Sequence, residues 1–400
     1  MYGYYKRSLL RMCSLLHEVQ LDPMGERDKC LLLQEQVLAT LIYIENSIRR
    51  HRSQLQEIRR YLSMGRELSI DRTEARRAKE AIESHNSRIK EYQLLLITFR
   101  SIIDGLAFTY LHKWDVKQFA FKECSGFISE KSGLKFELKI LRLAFSLGSV
   151  ALLNDLTNCL RHGDVTILAN GRGLFVEAKS GRRKDARVQR QEGNLRDIVL
   201  YLNSGKSDKF HAVGGHEGEF IRVPTHGPES NHMDDLNAMI ASARRSPDRY
   251  SLVEVEPGLH YLATYVADPK VLSTLSGRPP GSLIISSINQ LKYNGIGYYP
   301  FSLSIYDPRD WYDFCSGKLM LVVAVETKAI EDKLSGHGIS VKITGDWATY
   351  PVTLISSKGS GEKTSESLVG GHLFGRLFYE FLSLDWMLEE IIYRRNQELN

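Results

Sequence analysis

Cysteine is scarce in this chain. The five residues at 13, 30, 124, 159 and 315 are odd in number, scattered and without a Cys-x-x-Cys pair, so no disulfide framework is expected. Such usage fits a reducing compartment, and the cytoplasm is the expected location. Long apolar runs are also missing, and none reaches the length that spans a bilayer. The opening MYGYYKRSLLRM has no extended apolar core and no cleavage site, so neither a membrane anchor nor a secretory leader is expected. Charge of one sign is modest: 53 Lys and Arg against 48 Asp and Glu give a net charge of +5. That balance permits nucleic-acid binding without demanding it.

What the chain does contain is an ordinary globular mixture, 42% hydrophobic and 25% charged over 400 residues, enough for two or three domains. Its first third carries the clearest periodicity. Val37, Leu41, Ile44, Ile48, His51, Leu55, Ile58 and Leu62 step by four and three. Ala75, Ala78, Ile82, His85, Ile89, Tyr92, Leu96, Phe99, Ile103, Leu106 and Tyr110 do the same. Two heptad seams joined by a short segment, with a plausible cap before the second, predict an antiparallel coiled-coil hairpin. Folding there pairs Leu62 with Ala75, Ile58 with Ala78, Leu55 with Ile82, and Ile48 with Ile89. His51 then meets His85 in mid-seam, where two imidazoles without a carboxylate or thiol read as a register-pinning polar layer. Arg49, Arg50, Arg52, Arg59, Arg60, Arg76 and Arg77 load the outer faces, which read as solvated or as a rest for DNA backbone. The hairpin reads as a surface for assembly, through self-association or a protein partner.

The chemistry concentrates in Arg161–Ser180, RHGDVTILANGRGLFVEAKS. Val165–Ala169 and Leu174–Val176 are runs of strand formers around Asn170-Gly171, the dipeptide that favours a two-residue type I′ turn. Counting outward from that turn pairs Ala169 with Arg172 and sets Asp164 across from Glu177, with Lys179 on the face of Glu177. Two carboxylates one strand spacing apart repel unless a cation lies between them, and hard oxygens suit Mg2+ or Mn2+. A lysine beside such an ion is placed to orient water at a phosphodiester.

Gly163-Asp164 followed by Glu177-Ala178-Lys179 resembles the motif of the PD-(D/E)xK nuclease superfamily, and the resemblance covers residues of about 130–260. It implies a restriction-endonuclease-like α/β core in which Asp164, Glu177 and the carbonyl of Ala178 hold Mg2+ or Mn2+ and Lys179 orients the attacking water. The family's preceding helix often adds an acid, and Glu137 in the amphipathic stretch Leu134–Leu147 resembles it. Asp155 is a rival acid, but at the end of the strand 149–154 it reads as a turn residue. The strand order opens as the family's does: helix, then three strands.

Downstream, Arg182, Arg183, Lys184, Arg187, Arg190 and Arg196 crowd the entry to a helix that reaches about Asn203. Arginine holds phosphate with forked hydrogen bonds, so Arg182, Arg183 and Arg187 are candidate nucleic-acid contacts. Gln191 resembles a glutamine that several branches of the family carry near the metal, with Gln189 its rival. Tyr201 does not match the tight glutamine–tyrosine spacing of one branch. His162 is a further candidate phosphate contact. The loop-rich stretch 203–249 holds His211, His216, His226 and His232, in no spacing that defines zinc. Strands are expected at Tyr250–Glu256 and Leu259–Tyr265, one of which would complete the nuclease sheet.

Beyond residue 266 the pattern is α+β, with strands expected at 282–288, 301–305, 319–325, 339–343 and 350–356 and one long helix at 373–398. The aromatic stretch 295–300, with Tyr306, Trp311 and Tyr312, suits core packing or stacking on unpaired bases. The expected fold is thus an α+β multidomain chain: a helical coiled-coil domain at 1–113, a nuclease-like domain at 114–265 and an accessory domain at 266–400. The expected function is metal-dependent hydrolysis of DNA, in bacterial defence against phage or foreign DNA. RNA stands as a second substrate, since nothing reads a 2′-hydroxyl. The alternative is a non-catalytic nucleic-acid-binding scaffold assembled through the coiled coil.

Overall fold

The computed structural model describes the chain except residues 65–70, 120–125, 170–171, 179–185, 208–219, 267, 269, 272–281, 344–351, 358–363 and 400. It is mixed α+β, with a long N-terminal helical region and several antiparallel sheets. The chain divides into two compact units, residues 1–195 and 196–400. No described helix is long and apolar enough to cross a membrane.

The first unit opens with α1 (Tyr2–Leu21), α2 (Arg27–Ser63) and α3 (Arg72–Tyr110). The heptad seams of α2 and α3 meet antiparallel in the expected register, since His51 Nδ1 lies 2.8 Å from His85 Nδ1. Asp71 starts α3 with a capping box: its carboxylate accepts from Glu74 N at 2.7 Å while the Glu74 carboxylate accepts from Asp71 N at 3.3 Å. The seam is not uniform along its length. Val37, Leu41, Ile44 and Ile48 are buried, as are Leu96, Phe99, Ile103 and Leu106, whereas Ile58, Leu62, Ala75 and Ala78 near the tip are half-exposed.

The difference lies in α1, which lays Leu9, Met12, Leu16 and Val19 against the base of the hairpin and makes it a three-helix bundle. Gly105 permits this approach, because a Cβ there would sit 2.5 Å from the Leu16 side chain.

The helices also anchor the β-rich half of the same unit. Strands β1 (Val150–Leu153), β2 (Val165–Ala169) and β3 (Arg172–Val176) form an antiparallel sheet in that order. At the edge strand β1, Gln34 of α2 replaces a neighbouring strand: Nε2 donates to Ala151 O and Oε1 accepts from Leu153 N, both at 2.9 Å. This covers an edge that would otherwise present unpaired backbone. Glu45, fully buried, accepts from Ile128 N at 3.1 Å and Ser129 N at 2.9 Å. Asp104 of α3 accepts from the backbone N–H groups of Asn158 and Cys159 at 2.7 and 3.0 Å. Truncating such a buried acceptor leaves several donors unsatisfied, at about 1–3 kcal/mol each. A short helix α4 (Lys113–Phe119) follows the bundle, and α5 (Leu134–Ser146) packs on β1 and β2.

After α6 (Ala186–Ser204), the second unit contains the two-stranded pair β4 (Lys206–Ser207) and β5 (Phe220–Ile221) and helix α7 (Met233–Arg245). Its main sheet comprises β6 (Tyr250–Glu256), β7 (Leu259–Thr264), β8 (Leu283–Ser287) and β9 (Met320–Glu326), in the order β6-β7-β9-β8 and antiparallel throughout. Neither of the strands expected to complete the nuclease sheet does so, because β7 pairs with β6 and β9. All six residues of β7 are buried, so its apolar run marks the centre of a different sheet.

Helix α8 (Pro308–Ser316) precedes β9, and α9 (Thr327–Ser335) packs on the meander β10 (Ile339–Ile343), β11 (Val352–Ser357) and β12 (Thr364–Val369). Phe301–Ser304, expected as a strand, is a single helical turn that opens at Pro300. The expected terminal helix is two: α10 (Gly371–Tyr379) and α11 (Leu384–Leu399). Phe381 at φ 50 breaks the run, and Ser383 Oγ caps the second helix by accepting from Trp386 N at 3.0 Å.

Candidate active site

The hairpin β2–β3 has the register counted from its turn. Ala169 pairs with Arg172 and Val165 with Val176, while the turn residues 170–171 lie outside the described chain. The paired register ends at Val165 and Val176; beyond it Asp164 N donates to Val176 O at 2.9 Å, which holds Asp164 against the end of β3, next to Glu177. The Asp164 carboxylate then turns back on the opposite strand and accepts from Ala178 N at 2.8 Å. Asp164 is therefore fixed to the segment that carries Glu177.

Two neighbours hold Asp164 in place. Gly163 has φ +75, a region that L side chains avoid, and an added Cβ would lie 3.4 Å from Val176 O. Asn154, 1% exposed, donates from Nδ2 to His162 O at 2.7 Å and receives the Thr166 hydroxyl at 2.8 Å. Its own N–H donates to Asp164 O at 3.0 Å. His162 itself is half-buried in the loop that Asn154 clamps.

Around Asp164 the structure assembles Glu137, Asp155 and a lysine that the sequence did not single out. Lys131, just before α5, places its Nζ 3.2 Å from Asp164 Oδ1 and 3.5 Å from Glu137 Oε1, and it makes a closer ion pair with Asp155. Asp155 lies in the 3-10 turn Asn154–Leu156 that ends β1, and its carboxylate faces this lysine. Three carboxylates from three elements thus converge on one ammonium. Burial opposes the charge on Lys131, but Asp155, Asp164 and Glu137 together hold its pKa above the ordinary lysine value.

Glu137 is 3% exposed, and its Oε2 has no hydrogen-bond partner. Burial pushes its pKa up to about 7, against the pull of Lys131 and with help from the charges of Asp164 and Asp155. An orphaned carboxylate oxygen inside an anionic cluster is costly in a native fold.

Of the residues the sequence singled out, the structure brings together Asp164, Glu137 and the Glu177–Ala178 segment. Lys179, Arg182 and Arg183 lie outside the described residues, and Arg187 and Gln191 are placed only as backbone positions of α6. Lys131 was missed as a site residue, and Asp155, a rival acid in the sequence, reads there as a turn residue. Lys131 has no periodic or motif signal, and a lone aspartate after a strand looks the same whether it faces solvent or a lysine.

Other histidines and aromatics have structural partners. His226 is held by Glu390, with Nδ1 2.6 Å from Oε2, and His232 lies between Asp235 and Glu256, at 2.8 Å from each. His211 and His216 fall outside the described chain. Tyr298 stacks on Tyr379 at 4.3 Å, and Trp311 and Tyr312 are buried, so these rings pack the second unit. No protein-family model matches the chain, and the searches found no similar curated protein and no similar solved structure.

Proposed function

We propose that this protein is a metal-dependent nuclease with a restriction-endonuclease-like core, cleaving phosphodiester bonds of DNA in the cytoplasm. The observation that carries this reading is the convergence of Glu137, Asp155 and Asp164 on a single cation, with one Glu137 oxygen buried and unpaired. A donor set of carboxylates fits a hard divalent ion, and the orphaned oxygen is the type of group that such an ion would satisfy. Mg2+ or Mn2+ fits this chemistry, held by Asp164, Glu137, Glu177 and the carbonyl of Ala178. Bound there, the ion would offset the charge that builds on the phosphate oxygens and make water more acidic.

The chain's own groups supply the rest. Asn154 and Gly163 position Asp164, and Asp164 in turn orders the Glu177–Ala178 segment. Lys179, two residues past Glu177, is assigned to orient the attacking water. Arg182, Arg183, Arg187, Gln191 and His162 are assigned to the phosphate backbone. Lys131 occupies the position among these carboxylates that such an ion would take, so the ammonium and the ion would compete for the same oxygens. The order α5, β1, β2, β3, α6 supports the core assignment. The half-exposed tip of the coiled coil is a candidate docking surface for a protein partner or second copy, and a role in bacterial defence against phage or foreign DNA fits such an assembly. RNA is a second candidate substrate.

A non-catalytic scaffold is the competing reading, favoured by the neutralisation of the carboxylates by Lys131. Plasmid and RNA incubation with Mg2+ separates the two. The wild-type chain is expected to nick or linearise DNA, with Glu177→Ala and Lys179→Ala inactive. Cleavage that persists unchanged in both variants refutes the site, and no cleavage with any divalent ion favours the scaffold.

A further inference from the structure

The second unit contains another set of convergent ligand atoms, which does not depend on the nuclease reading. Glu254 of β6 stands opposite His260 of β7, and His260 stands opposite Ala324 of β9. Glu326 lies two residues beyond Ala324 and so shares its face of the sheet. Adjacent strands therefore bring a glutamate, a histidine and a second glutamate to one place. His260 Nε2 is 2.7 Å from Glu326 Oε1 and 4.0 Å from Glu254 Oε1, and one ligand atom from each residue lies within 4.8 Å of the others. We propose that Glu254, His260 and Glu326 form a binding site for a divalent transition metal, with Zn2+ the ion that fits best.

The dimensions support this assignment. Ligand atoms at about 2.0–2.2 Å from a tetrahedral Zn2+ lie roughly 3.4 Å apart. The 2.7 and 4.0 Å from His260 to the two glutamates bracket that value, and the whole set lies within 4.8 Å. Imidazole selects transition metals over Mg2+ and Ca2+, and two carboxylates neutralise the ion.

The framework beneath is buried. The His260 face of the sheet continues into Leu262, Val322 and Ala324, a buried apolar cluster. His260 is 6% exposed, whereas the Glu254 side chain is 54% exposed, which leaves one side of the set open to a water ligand.

A second layer orients the carboxylates. Glu254 Oε1 accepts from Gly258 N at 2.9 Å, and Glu326 N donates to Gly258 O at 2.8 Å. Gly258 has φ +80, and a Cβ there would meet Ala329 Cβ at 2.4 Å, so the turn that ties the two glutamates together tolerates only glycine. Outer contacts of this kind fix ligand orientation in metal sites.

The test uses the tag-free full-length chain carrying Asp164→Asn, which disables the carboxylate site of the first unit. After chelator treatment it is titrated with Zn2+ by calorimetry and with Co2+ by visible absorption. The expected result is uptake of a single Zn2+ and a Co2+ ligand-field band. Glu254→Gln, a change at an exposed side chain, should weaken Zn2+ by at least about tenfold. His260→Gln should abolish both signals while circular dichroism stays unchanged. Absence of Zn2+ uptake by the Asp164→Asn chain, or equal uptake in all three chains, overturns the proposal and leaves the cluster as an ion pair only.

Discussion

Replacing Lys131 with methionine removes the cation but keeps most of the stem, so the change isolates its charge. The ammonium bridges Asp155, Asp164 and Glu137 and is 31% exposed. A unit charge pair at 4 Å contributes about 4 kcal/mol at an effective dielectric near 20. Partial exposure and the desolvation already incurred reduce the net loss to roughly 2 kcal/mol. For a domain of this size that lowers the unfolding midpoint by about 4–8 °C. If the carboxylates form a divalent-ion site, the vacated position also binds Mn2+ more tightly. A ligand at a hundred times its dissociation constant restores about 2.7 kcal/mol.

The assay is thermal unfolding of wild-type and Lys131→Met chains, each with chelator and with saturating Mn2+. The variant should melt lower with chelator and gain more from Mn2+ than the wild type does. Equal Mn2+ gains in the two chains would refute the idea that the lysine and the ion share one position.

Glu137, raised to about 7 by burial, binds its proton in the folded state between about 4.5 and 7 while the unfolded chain has released it. Its contribution is thus fully present at low pH and is lost as pH rises through 7, so Glu137→Gln should stabilise the metal-free chain at pH 8 by up to about 3 kcal/mol, with little gain at pH 4, by chemical denaturation. His51 is held below the ordinary histidine range by burial, then by His85 and the nearby Arg88 and Arg50. The stability it supports is therefore present at pH 8 and lost as pH falls below about 6.5, and the His51→Leu/His85→Leu double variant should remove that acid sensitivity, read as helix content against pH. Gly163→Ala should destabilise by about 1–2 kcal/mol through its positive φ, and it should cost activity as well, because the same turn aims Asp164.

Local signals carried a large part of this structure. The Asn170-Gly171 dipeptide was enough to predict the pairing of Ala169 with Arg172 and, counted outward, of Val165 with Val176. The three–four spacing of two heptad seams was enough to put His51 against His85. The helix at Leu134–Ser146 and the strand at Ile339–Ile343 were equally legible, because apolar periodicity and glycine punctuation agree there.

What escaped the sequence depends on distant partners. Lys131 and Asp155 have no local pattern and acquire meaning only when α5 and β1 come together. The strands at 250–264 carry a strong β signal, but which sheet they join is decided by β9, more than fifty residues later. The break at Phe381–Ser383 is hidden inside a continuous apolar stripe, and the serine cap that makes it is a single hydroxyl. Gln34, Glu45 and Asp104, each a single-residue tether, tie the helices to β1 and to the segments at 128–129 and 158–159, a link that heptads alone could not show.

A divalent-ion centre at Asp164 is tested most directly by a crystal of the full chain soaked in Mn2+ and measured at the manganese edge. The expected result is an anomalous peak within about 2.0–2.6 Å of the Asp164 and Glu137 carboxylates, with the Lys131 ammonium displaced toward solvent. A map with no peak there, and Lys131 still bridging Asp155, Asp164 and Glu137, would contradict it.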